Sequence, residues 1–243
     1  MSVRQLAGTT AIVTGASRGF GRAIAIALVE RGADVVGVAR DEALLSELRE
    51  KLGDAFTPEL ADVADPELAV RLISEYRPKT LVLNAGATPA VARLQEQTWE
   101  NFSANWNVDV RQVFNFVRQS LTAPLDPGSV VVSLSSGAAL RGSPLSGGYA
   151  GAKATIRFIS DYARSEAERS GSRIRFVALL PQLTPATDLG RIYTEAYSGS
   201  SVAPANPSLS VDQAATSVTD VATGDAYVAP AYVLTAAGLQ PLE

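Results

Sequence analysis

The chain has 243 residues, of which 47% are hydrophobic, and a formal net charge of −4. It contains no histidine and no cysteine, which excludes disulfides, zinc sites with such ligands, and Ser-His-Asp or Cys-His nucleophilic sites. The charge does not indicate a nucleic-acid surface, and no apolar run reaches the ~18 residues that a membrane span needs. We expect a single domain over residues 1–243 with no metal, membrane or nucleic-acid partner, and a cytoplasmic location by default.

Apolar, β-rich runs alternate along the chain with helical patterns. Strands are predicted at Thr10–Thr14, Val35–Ala39, Ala55–Ala61, Thr80–Leu83, Val130–Leu134, Arg173–Leu180 and Tyr232–Thr235. Helices are predicted at Gly19–Arg31, Asp41–Leu52, from Pro66, at Trp99–Leu121, at Tyr149–Ser170 and at Ser210–Ala222. This alternation predicts an α/β fold, a doubly wound parallel sheet of about seven strands with helices on both faces. Pro58 in the third strand cannot donate to a ladder, which predicts that this strand lies at a sheet edge.

A glycine-rich turn joins the first strand to the first helix. It reads Gly15-Ala16-Ser17-Arg18-Gly19-Phe20-Gly21, a G-x-x-x-G-x-G spacing that is neither the G-x-G-x-x-G fingerprint nor a P-loop. Glycines let the backbone turn tightly and let a phosphate approach the N–H groups at the helix N-terminus. The alternative is a turn that serves only helix–strand packing. Its place between a strand and a helix favours a dinucleotide phosphate site.

The end of the second strand distinguishes the two nicotinamide dinucleotides. An acidic residue there would bind the ribose 2′-hydroxyl of NAD, but the chain has Ala39 followed by Arg40. Arg40 can pair with a 2′-phosphate, and Arg18 of the glycine turn can approach the same group. Asp41 suits a helix cap better. The sequence therefore predicts NADP(H), unless both arginines are solvated surface charges.

Tyr149 and Lys153 lie one helical turn apart, so their side chains can meet. A nearby ammonium favours the phenolate, which brings a phenol with an ordinary pKa of about 10 closer to a useful acid–base range. Ser136 follows the fifth strand, at the carboxyl edge where open α/β sheets bind ligands. Its hydroxyl can donate to a carbonyl oxygen that gains negative charge. The alternative is a core tyrosine and a turn serine.

Together these segments resemble the short-chain dehydrogenase/reductase family over about residues 8–181. The segments that carry the resemblance are Thr14–Gly21, Asn84-Ala85-Gly86, Asn107, Ser136 and Tyr149-x-x-x-Lys153. The resemblance implies a Rossmann-like fold and an NADPH-dependent oxidoreductase that reduces a ketone or aldehyde reversibly. It also implies a homo-oligomer, a dimer or tetramer, with the helices Trp99–Leu121 and Tyr149–Ser170 at an interface.

The resemblance assigns roles to single residues. Tyr149 would be the general acid/base, Lys153 would lower its pKa and hold the nicotinamide ribose, and Ser136 would orient the carbonyl. Asn107 would hold a water in the proton relay, with Asn105 as the alternative if the register is off by two. The remaining expected cofactor contacts are Asn84-Ala85-Gly86 at the adenine-side ribose, Asp62 and Val63 at the adenine, and Pro181 and Thr184 at the nicotinamide.

The chain departs from the family pattern after the sixth strand. Gln182 follows Pro181 where the family has glycine, and a side chain there would crowd the nicotinamide or change the loop. The segment 183–209 is expected to be the substrate loop, with an irregular stretch from Thr194 to Leu209. Two other functions stay open: a dinucleotide sensor that has lost catalysis, and a lyase or epimerase on the same fold.

Overall fold

The order of the strands places the carboxyl ends of β1 and β4 side by side at the centre of one sheet. The computed structural model describes residues 6–123, 125–198, 208–224 and 229–242, and these contain eight strands in the order β3-β2-β1-β4-β5-β6-β7-β8. The strands are β1 (Thr10–Thr14), β2 (Asp34–Ala39), β3 (Phe56–Leu60), β4 (Thr80–Leu83), β5 (Val130–Leu134), β6 (Arg175–Pro181), β7 (Ala231–Thr235) and β8 (Gly238–Pro241). All neighbours are parallel except β7 and β8.

Helices cover both faces of this sheet. They are α1 (Gly19–Glu30), α2 (Glu42–Leu52), α3 (Pro66–Tyr76), α4 (Trp99–Asn105), α5 (Arg111–Thr122), α6 (Ala138–Arg141), α7 (Gly147–Ser170), α8 (Asp188–Ala196) and α9 (Val211–Thr223). On one face Val13 packs in a core with Leu28 of α1 and Val218 of α9. On the other face Ile12 packs with residues of α3, α5 and α7, such as Phe116. The predicted doubly wound fold is therefore confirmed.

The predicted edge position of the third strand is also confirmed, since β3 pairs only with β2 and carries Pro58. The eighth strand was not predicted. Gly238 has a φ of 108°, a left-handed conformation that glycine adopts without steric cost. This turn folds the chain back so that Thr235 pairs with Gly238 and β8 runs antiparallel to β7.

Two predicted segments differ from the structure. The single helix predicted at Trp99–Leu121 is divided into α4, a π-helical turn over Trp106–Val110, and α5. The stretch expected to be irregular from Thr194 begins inside α8, which ends at Ala196, while residues 199–207 of the expected substrate loop lie outside the described residues. Within the described ranges, none of the helices has the length and apolar character that crossing a membrane requires.

Candidate active site

The glycine turn lies at the carboxyl end of β1 and is held from the neighbouring strand. Asn84, which follows β4, donates from Nδ2 to the carbonyl of Thr14 at 3.0 Å. Gly15 has a φ of 69°, and a Cβ there would lie 2.8 Å from the Asn84 amide nitrogen. A Cβ on Gly21 would lie 2.0 Å from the carbonyl oxygen of Gly15. These contacts explain why glycine is required at both positions.

The N-terminus of α1 is open toward this edge of the sheet. Arg18 is the N-cap residue, its side chain makes no capping hydrogen bond, and the first turn carries no acidic residue. Gly19 has a φ of 53°, and a Cβ there would meet nothing within 4 Å. The first N–H groups of a helix have no intrahelical partner, and the helix dipole favours an anion beside them. This terminus therefore suits a phosphate group.

The two arginines predicted to bind a 2′-phosphate follow adjacent strands, β1 and β2. Arg40 is exposed directly after β2, and Arg18 lies with its Nη1 3.8 Å from Asp188 Oδ2. Both side chains of that pair are more than half exposed, so the ion pair is weak. Asp41 caps α2 by accepting from the backbone N–H of Leu44 at 3.1 Å, as expected, which commits this carboxylate to the helix.

The residues expected at the adenine also follow strands that end at this edge. Asp62 and Val63 follow β3, from which Ala61 separates them. Asp62 is exposed and accepts a hydrogen bond from the backbone N–H of Ala64 at 2.9 Å, while Val63 is buried. Ala85 and Gly86 follow β4 next to Asn84. The carboxyl ends of four adjacent strands, β3, β2, β1 and β4, therefore bring these expected cofactor residues to one edge.

Tyr149, Lys153 and Ser136 come together where β5 ends. Tyr149 is 7% exposed, and Lys153 Nζ lies 5.6 Å from the centre of its ring. Lys153 also donates to the carbonyl of Leu134, the last residue of β5, at 3.1 Å. Burial raises the pKa of Tyr149, while a hydrogen bond with the Ser136 side chain lowers it. The net direction of the pKa shift is upward, so this phenol stays protonated at neutral pH.

The structure places the two candidate proton-relay asparagines in different surroundings. Asn107 lies in the π-helical turn and is exposed to solvent. Asn105, the alternative, is 1% exposed, and its Nδ2 donates to the carbonyl of Ala87 at 2.8 Å. The residue that reaches Lys153 is Asp109, whose Oδ2 lies 3.1 Å from Nζ. The site therefore contains a carboxylate that the sequence motif did not identify.

A signal for Asp109 was present in the sequence. Val113, Phe116 and Val117 form the buried face of α5, and stepping back by four residues from Val113 gives Asp109 and then Asn105. Residues four apart share one face of a helix, whereas Asn107 lies away from that face. Helical periodicity would therefore have selected Asp109 and Asn105 over Asn107.

Helix α8 packs against Tyr149. The ring centres of Tyr149 and Tyr193 lie 5.9 Å apart, and Tyr193 donates from its hydroxyl to Ser146 Oγ at 2.6 Å. Tyr197 stacks on Tyr193 at 6.0 Å and contacts Ser143 Oγ at 2.9 Å. Burial raises the pKa of Tyr193, so this phenol stays neutral. Two tyrosines of the expected substrate loop thus hold α8 against the segment that precedes Tyr149.

The segment after β6 continues the sheet. Pro181 ends β6, and the backbone N–H of Gln182 donates to the carbonyl of Leu234 at 3.0 Å. Thr184 is buried and donates its hydroxyl proton to the carbonyl of Gln182 at 3.1 Å. The side chain at position 182 is accommodated in a half-buried position because its backbone is paired with β7.

The sequence profile of the short chain dehydrogenase family matches residues 9–197, which include the glycine turn, Ser136, Tyr149, Lys153 and α8. The chain belongs to the short chain dehydrogenase family. It is therefore an oxidoreductase with a Rossmann fold that uses a nicotinamide cofactor.

Two relatives and two solved structures illustrate this membership. An uncharacterized short-chain type dehydrogenase/reductase of Sinorhizobium fredii is 32% identical over 189 residues, 77% of this chain and 71% of that one. An NADPH-dependent pterin aldehyde reductase of Arabidopsis thaliana is 28% identical over 90% of this chain and 91% of its own length. A blue fluorescent protein from a metagenomic library, in complex with NADPH, is 26% identical with a TM-score of 0.79 and coverage of 93% and 96%.

The second solved structure supports the fold alone. It is a 3-ketoacyl-(acyl-carrier-protein) reductase from Brucella melitensis with NADH, 23% identical with a TM-score of 0.79 and coverage of 94% of this chain and 97% of that one. Because one of these solved structures contains NADPH and the other NADH, the likeness to them does not choose between the two cofactors.

The residues of this short chain dehydrogenase fit a nicotinamide dinucleotide. The uncapped N-terminus of α1 and the space above Gly19 suit a pyrophosphate. The ammonium of Lys153 lies between the end of β5 and the ring of Tyr149. The residues expected to bind the cofactor and to transfer a proton therefore lie at one edge of the sheet.

Proposed function

We propose that the protein is an NADPH-dependent carbonyl reductase, reversible as an alcohol dehydrogenase, that acts on a small-molecule ketone or aldehyde. The observation that carries the proposal is the buried phenol of Tyr149, which is hydrogen-bonded to Ser136 beside the Lys153 ammonium. A proton donor beside a hydroxyl donor is what carbonyl reduction requires, because the oxygen gains negative charge and then a proton.

The chain's own residues divide the proposed reaction between them. The bound cofactor would supply the hydride to the carbonyl carbon. Ser136 would donate a hydrogen bond to the carbonyl oxygen, and Tyr149 would then transfer its proton to that oxygen. Lys153 would stabilise the phenolate that remains, since an adjacent cation favours the charged form of the phenol. Tyr193 and α8 would limit the access of water to the same place.

Residues at the carboxyl edge of the sheet support a preference for NADPH over NADH. Ala39 offers no acceptor for a ribose 2′-hydroxyl, while Arg40 is exposed directly after it with its guanidinium available for a phosphate. Arg18 is also more than half exposed. The pterin aldehyde reductase that resembles this chain is described as NADPH-dependent. A planar guanidinium binds a phosphate dianion by two hydrogen bonds.

The other expected cofactor residues complete the proposal. Asn84-Ala85-Gly86 would lie at the adenine-side ribose, with Asp62 and Val63 at the adenine. Pro181 and Thr184 would lie at the carboxamide of the nicotinamide. Because Thr184 already donates its proton to the carbonyl of Gln182, its oxygen can only accept, which suits the N–H groups of a carboxamide.

The homo-oligomer expected from the resemblance is part of the proposal. Large apolar side chains are exposed on α4, the π-helical turn, α5 and α7. They are Trp99, Trp106, Phe114, Phe158 and Tyr162, with exposures from 40% to 72%. Since α4 and α5 both pack against α7, these side chains belong to neighbouring helices. Exposed apolar surface of this kind is typical of protein–protein interfaces, so we propose that a second copy of the chain covers it.

Substitution of Phe158 by Glu tests the oligomer. A charge in a desolvated interface is costly, so we expect Phe158→Glu to shift the mass measured by sedimentation toward the monomer. Val70→Glu, on α3 and similarly exposed, serves as the control and should leave the mass unchanged. Equal masses for the wild type and Phe158→Glu, at a concentration where the wild type is oligomeric, would contradict the proposed surface.

Substitution of Arg40 by Ala tests the cofactor preference. Loss of a charge-assisted hydrogen bond, worth about 1.5–3 kcal/mol, should weaken NADPH binding by about 10-fold or more, while NADH binding, without the 2′-phosphate, should stay nearly unchanged. Titration of cofactor fluorescence measures both affinities. Arg173→Ala is the matched control, because Arg173 is exposed but precedes β6 at the other edge of the sheet. The role of Arg40 is wrong if the variant weakens both cofactors equally or neither.

Substitution of Tyr149 by Phe tests the proton donor and separates a reductase from a sensor. We expect kcat for NADPH oxidation with a panel of ketones and aldehydes to fall by about 100-fold or more, the lower end for a general acid, with NADPH affinity retained. Tyr162→Phe, an exposed tyrosine of the same helix, is the control and should keep its turnover. If the wild type binds NADPH but reduces no member of the panel, the sensor or lyase alternatives gain support. Retained turnover in Tyr149→Phe would remove the assigned role.

A further inference from the structure

The carboxylate of Asp109 is a buried charge beside the proposed proton donor. Asp109 is 1% exposed, and its Oδ2 lies 3.1 Å from the Nζ of Lys153, which is itself 6% exposed. Taking two such charges out of water costs several kcal/mol each unless they compensate one another. The pair is therefore present as an ion pair in the site, and its net charge is zero.

Two hydrogen bonds and the Lys153 ammonium hold this carboxylate in one position. Oδ1 accepts from the backbone N–H of Ala87 at 2.8 Å and from Asn105 Nδ2 at 3.3 Å. A Cβ on Gly86 would lie 2.8 Å from Oδ2 of Asp109. Because Gly86 has no side chain, the carboxylate fits beside it. Within the part of the chain that the structure describes, Oδ2 accepts no well-aligned hydrogen bond, which leaves the Lys153 ammonium as its compensation.

Charged and polar groups from several elements face the Tyr149 phenol. Lys153 faces it from its own helix, α7. Asp109 comes from the π-helical turn, and Tyr193, a neutral phenol, comes from α8. Ser136 contributes an uncharged hydroxyl. The ammonium that would favour the phenolate is thus offset by a carboxylate paired with it, while the burial of the ring disfavours the phenolate.

We infer that Asp109 is a positioning residue that fixes Lys153 and offsets part of its charge, so that Tyr149 is kept in the acid form that carbonyl reduction consumes. The direction of the reaction rests on the proposed carbonyl reductase function, but the effect on the phenol does not. The charge of Asp109 acts in the same direction as burial, raising the pKa of Tyr149. A neutral side chain at position 109 would leave the ammonium unopposed.

Titration of the phenol tests this inference without a substrate. Protein labelled with ¹³C at the Cζ of tyrosine is titrated by NMR without cofactor, and the Tyr149 signal is assigned by its loss in Tyr149→Phe. In Asp109→Asn, which has nearly the same shape, we expect this signal to begin its shift at a pH about one unit lower than in the wild type. Asp220→Asn is the control. Asp220 pairs with Arg31 at 3.2 Å, and Arg31 lies at the C-terminal end of α1, away from the glycine turn. This substitution should not move the Tyr149 signal.

Lys153→Gln provides an independent arm in which Asp109 is kept. The carboxylate is then unopposed, so the Tyr149 signal should begin its shift at a higher pH than in the wild type. An unchanged or higher titration in Asp109→Asn, or an unchanged or lower one in Lys153→Gln, overturns the inference. The readout does not depend on turnover, so a failure of the proposed reductase function and a failure of the charge compensation give different results.

Discussion

A buried ion pair joins the elements on which the site depends. Lys153 of α7 contacts Asp109 of the π-helical turn and the carbonyl of Leu134 at the end of β5. Asp109 in turn accepts from the backbone of Ala87, in the segment after β4. Charges buried at this depth tolerate little displacement, because a misaligned pair leaves both desolvated. The position of Tyr149, one helical turn before Lys153, is thereby fixed relative to two strand ends.

The parallel sheet places the remaining parts around this pair. Chain order reverses between β1 and β4, and such a switch point opens a crevice at the carboxyl edge. The glycine turn and Asn84 lie on its two sides and are hydrogen-bonded to each other through Thr14. Ser136 follows β5, the next strand. The proposed anion site and the proposed proton donor therefore share one edge, which is the arrangement that a nicotinamide-dependent oxidoreductase needs.

Local patterns in the sequence were enough to predict the features that depend on short-range geometry. The spacing of Tyr149 and Lys153 indicates one face of a helix, and Pro58 indicates an edge strand; the structure has both. The motif position for the relay residue, Asn107, stays a prediction; it lies in a π-helical turn at Trp106–Val110, within a segment that was predicted as one regular helix.

Features that depend on contacts between distant segments of the chain could not be predicted from the sequence. The pairing of Asp109 with Lys153 joins residues far apart in the chain, and the packing of α8 over Tyr149 depends on side-chain contacts with the loop before α7. The effect on the phenol is also a tertiary property. The i, i+4 spacing suggested that Lys153 lowers the pKa of Tyr149, whereas burial of the ring, a tertiary effect, raises it.

The most direct test of the central claim follows the hydrogen that is transferred. The protein is incubated with a panel of ketones and aldehydes and with NADPH that carries two deuterium atoms at C4 of the nicotinamide ring, and the products are analysed by mass spectrometry. The account predicts an alcohol with deuterium on the former carbonyl carbon and a proton from water on its oxygen. Products without deuterium, or binding of NADPH with no product across the panel, would contradict it.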